Sequence, residues 1–388
     1  MYTVILKKSE EKDILLGNRL HIFANEVLKI EGKAENGSVA KVLAYDSRFI
    51  CIGFINHASK MLVRILSFKE EEIDYNFFYN RISSANERRT KLGFTNNYRV
   101  VFSDADLLPG LIIDKYGDYL VVSINSLGYE VKKQIILDVL ISIFSPKCIY
   151  EKSDAFIRAK EGLKETKDVL YGVLDKDFVI EENNIKFSLN LEESQKTGHF
   201  LDQAANRLKI RQYAKGKRVL DLFCNTGGFT LNAIYSGASY VLSVDISPKA
   251  LDTLTNNAKM NNLECNTKEI DVFDFLKEEN TIKNTYDCII LDPPAFVKNV
   301  DSINSGYNAY VNLNKLALKI CKSNGILFTF SCSEHMSITL FLKMIKEAAL
   351  KAKRNVRLLE ILVQNTDHSP SLNLESGFYL KGLVLHVE

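Results

Sequence analysis

The sequence predicts an α/β protein whose C-terminal half is an open, mostly parallel sheet, preceded by a small β domain and a central α+β domain. Two observations carry this. From Val219 onward, short apolar runs alternate with stretches of helical spacing, the pattern of consecutive βαβ units. Four of those runs end in an acid, at Asp221, Asp245, Asp271 and Asp292. This sets a row of carboxylates along the edge where open α/β folds take their ligands. At 388 residues the chain is also too long for one core. We therefore expect domains at 1–70, 71–185 and 186–388.

Hydrophobic residues make up 46% and charged residues 25% of the chain, ordinary for a globular protein. No apolar run reaches the length of a membrane span, and the N-terminal MYTVILKKSEEKD lacks a signal peptide's apolar centre. The expectation is a cytoplasmic protein without a membrane partner. Seven cysteines without paired spacing suit a reducing compartment and neither a disulfide framework nor a zinc site. A net charge of +2 excludes a strongly basic coat for nucleic acid but leaves room for a local basic face.

In chain order, residues 1–70 read as short strands with turns at Gly37, Asp46-Ser47 and Gly53. G-S-V at 37–39, I-G-F-I-N at 52–56 and V-R-I-L at 63–66 resemble the PUA domain, an RNA-binding fold. A β domain used only for packing or dimerisation is the alternative, and a homodimer stays open as an expectation. Between Glu70 and Tyr98 a helix is expected, with Phe77, Phe78, Ile82, Ala85 and Leu92 on its apolar side. Arg81, Arg88, Arg89 and Lys91 lie among them, either as a solvated face or as a surface that follows phosphates. Pro109-Gly110 and Tyr116-Gly117-Asp118 are turns between three strands. A helix over 131–143 and a strand over 148–152 complete the central domain. FVIEENNIKFSLNL, 178–191, predicts a hairpin about Asn183-Asn184.

Val219 to Phe223 suits a strand buried on both faces. Gly227 and Gly228 then allow a tight turn into a helix, a nucleotide-type turn that lacks the G-x-G-x-x-G spacing of dinucleotide sites. Asp245 ends a second strand twenty-four residues after Asp221, where a carboxylate can take both hydroxyls of a ribose. Ser247 caps the following helix. This order resembles the Rossmann-like class I S-adenosylmethionine-dependent methyltransferases. The resemblance implies S-adenosylmethionine as cofactor. Asp221, Phe223 and the Asn225 to Gly228 turn, with Gly227, would then lie at its methionine, Asp245 and Ile246 at its ribose and Asp271 at its adenine. Asp292 would lie between cofactor and substrate.

Four further stretches narrow the family: L-P-G-L-I-I-D-K-Y-G-D at 108–118, K-T-G-x-F-L-D-Q at 196–203, D-P-P-A-F at 292–296 and S-C-S-E-H at 331–335. Together they resemble the bacterial 23S rRNA cytosine-5 methyltransferase family, with its PUA, central and catalytic domains. The chain departs at Ala204, where the family usually has Arg, and at His199, usually an aromatic residue. Carried over, Phe200, Asp202 and Arg207 help to close the cofactor pocket, and 23S ribosomal RNA is the partner.

Chemistry concentrates late in the chain. Asp292-Pro293-Pro294 sets a carboxylate on a stiff turn, suited to a flipped base, but alone it separates neither ring carbon from ring nitrogen nor from an exocyclic amine. Ile326 to Phe330 is a buried strand that would deliver Cys332 to the same edge. Its bland reading is a small buried hydrophobe. By the family resemblance Cys332 is the nucleophile that adds to cytosine C6, with Asp292 acting near N3. A methyltransferase of this fold acting on a guanine or adenine nitrogen, or an RNA-binding protein without turnover, are the competing functions. Cys51, Cys148, Cys224, Cys288 and Cys321 are expected in the core. His335 either serves Cys332 or caps the next helix.

Overall fold

A computed structural model describes residues 2–33, 35–194, 196–279, 285–297, 299–333, 335–374 and 377–388. Gln195 and Glu334, at the edges of two of the stretches above, lie outside the described residues. The chain forms two compact units. One holds residues 1–180, 189–201 and 366–377, the other 181–188, 202–365 and 378–388.

The first unit opens with β1 (Tyr2–Leu6), α1 (Glu11–Leu15), β2 (His21–Phe23), β3 (Val27–Glu31), β4 (Val39–Leu43), β5 (Phe49–Ile55) and β6 (Met61–Ser67). Their sheet has the order β2-β6-β5-β4-β1-β3 and buries Val4, Leu6, Ile22, Val42, Ile55 and Val63 on one side. There follow α2 (Tyr75–Lys91), β7 (Asn97–Phe102), β8 (Leu111–Tyr116), β9 (Tyr119–Ile124), α3 (Leu127–Val131), α4 (Lys133–Phe144), β10 (Cys148–Ser153), α5 (Ala155–Ala159) and β11 (Thr166–Gly172). The sheet β11-β10-β9-β8-β7 packs Val100, Ile113 and Val122 against Phe78 and Ile82 of α2 and Leu140 of α4.

Helix α2 starts where Asp74 accepts the Phe77 N–H at 2.9 Å, an N-cap worth about 1 kcal/mol. Phe77, Phe78, Ile82 and Ala85 are buried as expected, whereas Leu92 follows the helix as its C-cap and is exposed. The basic cluster divides. Arg89 is buried, forked onto the Asp106 carboxylate at 2.6 and 2.7 Å and onto the Asp367 carbonyl at 2.9 Å. Arg88 shares Asp106, Lys91 pairs with Glu87, and Arg81 lies against the Phe77 ring. The buried member of the cluster thus serves the fold, gripping residues 366–368 together with the Arg99 N–H, which donates to Asp367 Oδ2 at 2.8 Å.

The same unit shows why the stretches at 108–118 and 196–203 belong together. Asp114, wholly buried in β8, pairs with Arg99 and accepts the Thr197 hydroxyl, while the Tyr116 hydroxyl donates to the His199 carbonyl at 3.0 Å. Lys152 donates to the Leu191 and Ser194 carbonyls just upstream. Leu191, Ser194, Thr197 and His199 are therefore held by side chains of β8 and β10.

Strands β12 (Phe178–Glu182) and β13 (Ile185–Leu189) form the expected hairpin, with Asn183 and Asn184 at φ 56° and 61°, the left-handed pair its two-residue turn requires.

The second unit runs through α6 (Ala204–Lys209), α7 (Arg211–Ala214), β14 (Arg218–Leu222), α8 (Gly228–Tyr235), β15 (Tyr240–Asp245), α9 (Pro248–Met260) and β16 (Asn266–Glu269). It continues with α10 (Val272–Glu279), β17 (Tyr286–Leu291), α11 (Ile303–Ile320), β18 (Cys321–Ser331), α12 (Ile338–Ala352), β19 (Val356–Val363) and β20 (Lys381–Val387). The sheet order is β16-β15-β14-β17-β18-β20-β19, parallel as far as β18, with β20 antiparallel to both neighbours. Leu220, Leu222, Ile289 and Leu291 face α10, α11 and α12, whereas Val219, Cys288, Ile290 and Phe328 face α7 and α8. Helices on both faces explain why these strands are continuously apolar rather than alternating. No helix among the described residues is long and apolar enough to cross a membrane.

Candidate functional site

The turn after β14 is built from three residues in the left-handed region, Phe223 at φ 62°, Asn225 at 47° and Gly227 at 89°. The Asn225 N–H donates to Asp245 Oδ2 at 2.9 Å, and Asn257 of α9 donates to the Thr226 carbonyl at 3.1 Å. A Cβ at Gly227 would lie 2.0 Å from Leu254 Cδ1, so a substitute must push that side chain aside as well as take up φ 89°. Gly227→Ala is expected to destabilise the protein by about 2–4 kcal/mol, from backbone strain and overpacking together. Urea unfolding of the variant beside the parent measures it.

Each acid of the row has its own setting. Asp245 also accepts the Ser247 N–H at 2.9 Å, and the exposed Ile246 lies between. Asp271 lies two residues beyond β16 and caps α10, accepting the Phe273 N–H at 2.8 Å and the Asp274 N–H at 3.2 Å. Asp221 is different. It is 1% exposed, Thr230 of α8 donates to its Oδ2 at 2.6 Å, and its Oδ1 is buried without a hydrogen-bond partner among the described residues. Burial, with Asp292 and Asp245 adding like charge, holds this carboxyl up at about 7 despite the Thr230 hydrogen bond. A buried carboxylate with an unsatisfied oxygen beside a glycine turn is a seat for a cation.

Asp292 follows β17 directly, and Cys332 follows β18, its parallel neighbour, in which Thr329 lies opposite Leu291. The loops they stand on are joined. The Val297 N–H donates to Ser333 Oγ at 3.2 Å, and Phe296 packs against Tyr310 with ring centroids 4.7 Å apart. Ser331 donates to the buried Tyr310 hydroxyl at 3.0 Å, and Lys381 of β20 donates to the Ser333 carbonyl at 2.6 Å. The backbone on both sides of Cys332 is thus anchored. Cys332 is half-buried and packs against the cluster that holds Phe229, Phe328 and Phe330. Cys51, Cys148, Cys224, Cys288 and Cys321 are buried, and burial pushes all five thiols above their ordinary range. Cys265, which the sequence reading passed over, is half-buried.

Asp202 accepts the Tyr379 hydroxyl at 2.7 Å. Arg207 is buried in an ion pair with Glu182 at 2.9 Å and lies over Gly228, where a Cβ would come within 2.6 Å of its Cδ. Phe200 belongs to the first unit and stacks under the Lys196 ammonium. His335 is exposed and is not the helix cap, since Ser337 accepts the Leu340 N–H at 3.1 Å. Sequence reasoning missed Gln203, which donates to Asp292 Oδ2 at 3.1 Å, and also Tyr310 and Lys381. Gln203 stood inside a quoted motif; Lys381 and Tyr310 carried no signal short of the strand register.

A model of the S-adenosylmethionine-dependent methyltransferases matches residues 165–373, more than half of the chain. The chain belongs to that family. A PUA-like domain model matches residues 4–68 of this methyltransferase. Proteins named ribosomal RNA large subunit methyltransferase I are similar over nearly the whole length. That of Aeromonas salmonicida (strain A449) is 38% identical over 98% of both chains, and that of Vibrio parahaemolyticus serotype O3:K6 is 38% identical over 99% of both. Two solved structures share the fold over 100% of both chains. A putative methyltransferase complexed with SAH has a TM-score of 0.85 at 23% identity, and a putative SAM-dependent methyltransferase from Streptococcus mutans one of 0.84 at 24%. S-adenosylmethionine is the cofactor of this methyltransferase, and the donor set fits it. The unsatisfied Asp221 oxygen suits a cationic ammonium, and the left-handed turn lets backbone approach closely.

Proposed function

We propose that the protein methylates C5 of a cytosine in large-subunit (23S) ribosomal RNA, in the cytoplasm, with Cys332 as nucleophile and Asp292 as acid. The single observation that carries this reading is the half-buried thiol of Cys332 on a loop hydrogen-bonded to the loop of Asp292, at the ends of adjacent parallel strands. The relatives' names support ribosomal RNA as substrate, and the PUA-like domain supports RNA binding.

Bound S-adenosylmethionine supplies a methyl group made electrophilic by its sulfonium. We assign Asp221 and the 223–228 turn to its methionine end, Asp245 and Ile246 to its ribose and Asp271 to its adenine. Asp202 and Arg207 hold the surrounding wall. Cytosine C5 is too weak a nucleophile on its own. The Cys332 thiolate adds to C6, and the C5–C6 double-bond electrons move toward C5 and N3, where Asp292 stabilises the developing charge with its proton. C5 takes the methyl group. Water takes the C5 proton, the double bond re-forms as the thiolate leaves C6, and Asp292 recovers its proton from N3.

RNA carrying 5-fluorocytosine tests this directly, because fluorine at C5 cannot leave as a proton does. We expect a covalent protein–RNA adduct that survives denaturing electrophoresis and whose peptide mass maps to Cys332. Methyl transfer to this RNA without an adduct would sink the cytosine-carbon reading and favour a base nitrogen.

A further inference from the structure

We propose that Gln203 and Asn206 form a positioning relay that fixes which oxygen of Asp292 faces the substrate base; it rests on the reading above only for the identity of that base. Both side chains are buried, 5% and 4% exposed, at the start of α6. The Asn206 side-chain nitrogen donates to the Val363 backbone carbonyl at 3.1 Å, at the end of β19, and to Gln203 Oε1 at 2.7 Å. Gln203 Nε2 in turn donates to Asp292 Oδ2 at 3.1 Å.

The polarity of this chain follows from its far end. A backbone carbonyl can only accept, so Asn206 must turn its nitrogen toward Val363. The same nitrogen must then meet an acceptor on Gln203, so the Gln203 amide cannot flip. Its nitrogen is left facing Asp292, and an N–H can only donate. One lone pair of Oδ2 is thereby committed to Gln203, which favours Oδ1 as the oxygen that meets the base. The plane of the carboxyl is set at the same time. A general acid acts only within hydrogen-bond reach and in the right orientation. The relay therefore turns Asp292 Oδ1 toward the base and holds the carboxyl plane there. Gln203 and Asn206 act through Asp292 and are positioning residues.

The test uses full-length protein with total RNA and large ribosomal subunits from a strain deleted for the gene, with labelled S-adenosylmethionine as methyl donor. Gln203→Leu removes the donor. Asn206→Asp keeps the size of the side chain but cannot donate, so Gln203 must reverse its amide and present oxygen to Asp292. In each variant kcat should fall about 10- to 100-fold, the scale on which misplacing a catalytic group acts. The KM for S-adenosylmethionine should stay at the parental value in both, and so should the melting temperature of Gln203→Leu; Asn206→Asp, which sets a carboxyl against the Val363 carbonyl, should melt lower while still folding. In the double variant the losses should not multiply, because Asn206 works through Gln203. Parental kcat in either variant, multiplying losses in the pair, or a fall in kcat matched by lost cofactor affinity or lost folding would overturn the relay. Nucleoside mass spectrometry of the parental product separates the two claims. A methyl on a base nitrogen refutes the cytosine reading, while the kcat pattern still decides the relay.

Discussion

Cys332→Ala should lose methyl transfer by about 10⁴-fold or more, the scale on which removal of a covalent nucleophile acts, while binding S-adenosylmethionine as the parent does. The asymmetry follows from the position of the thiol. It stands at the end of β18 on a backbone anchored by Ser331, Ser333 and Lys381, none of which depends on the sulfur. The side chain is half-buried, so its truncation leaves the fold within about 1 kcal/mol of the parent. What disappears is the only way the mechanism has of making C5 nucleophilic. Single-turnover transfer to RNA, with cofactor affinity from calorimetry, reads both quantities on one preparation. If the alanine variant keeps activity within about tenfold, no covalent step is being served, and a base nitrogen becomes the target.

The second large effect concerns Asp221. With its carboxyl at about 7 in the free protein, much of it is protonated below neutrality, and a bound ammonium favours the ionised form. Binding therefore releases a proton below about pH 7. Cofactor affinity should tighten as pH rises from 5.5 toward 7, by up to about tenfold per unit for one linked proton, and level off above. Asp221→Asn should weaken binding roughly 10- to 100-fold at pH 8 and abolish this slope. The stability sign is opposite. The folded carboxyl lies above its unfolded value of 3.8, so its stabilisation is complete below that value and is lost as pH rises through about 7. At pH 8 the asparagine variant, with no buried charge to desolvate and Thr230 still able to donate, should melt no lower than the parent. Calorimetric titrations over pH, with and without the substitution, decide this. A flat affinity profile in the parent would remove Asp221 from the cofactor's cationic end.

The parts legible in the sequence are those where one residue type has one physical use. Continuous apolar runs ending in acids announced β14, β15 and β17 because a strand covered on both faces has no other place for a carboxylate. Asn183-Asn184 announced its hairpin because few other pairs accept two left-handed residues. Strand β11 escaped notice because it is an edge strand, mostly exposed, with no apolar alternation. The helix expected over 131–143 is α4, whereas α3 escaped notice because its five residues are too few to show a helical period. At the site the carboxylates and Cys332 were visible as strand ends. The burial of Arg89 and Arg207 was not, since an arginine in an ion pair and one in water look alike in sequence. Gln203 needed Asn206 and Val363, 157 residues further along the chain from Asn206, to acquire a direction.

The grip of Arg89 and Arg99 on Asp367 has a consequence for biogenesis. Residues 366–377 complete the unit that begins at the N-terminus. A chain emerging in order therefore presents the Arg89 guanidinium before the Asp367 carbonyl that it grips has been made. A premature stop before residue 366 removes that partner from the first unit as well as the last strand from the second.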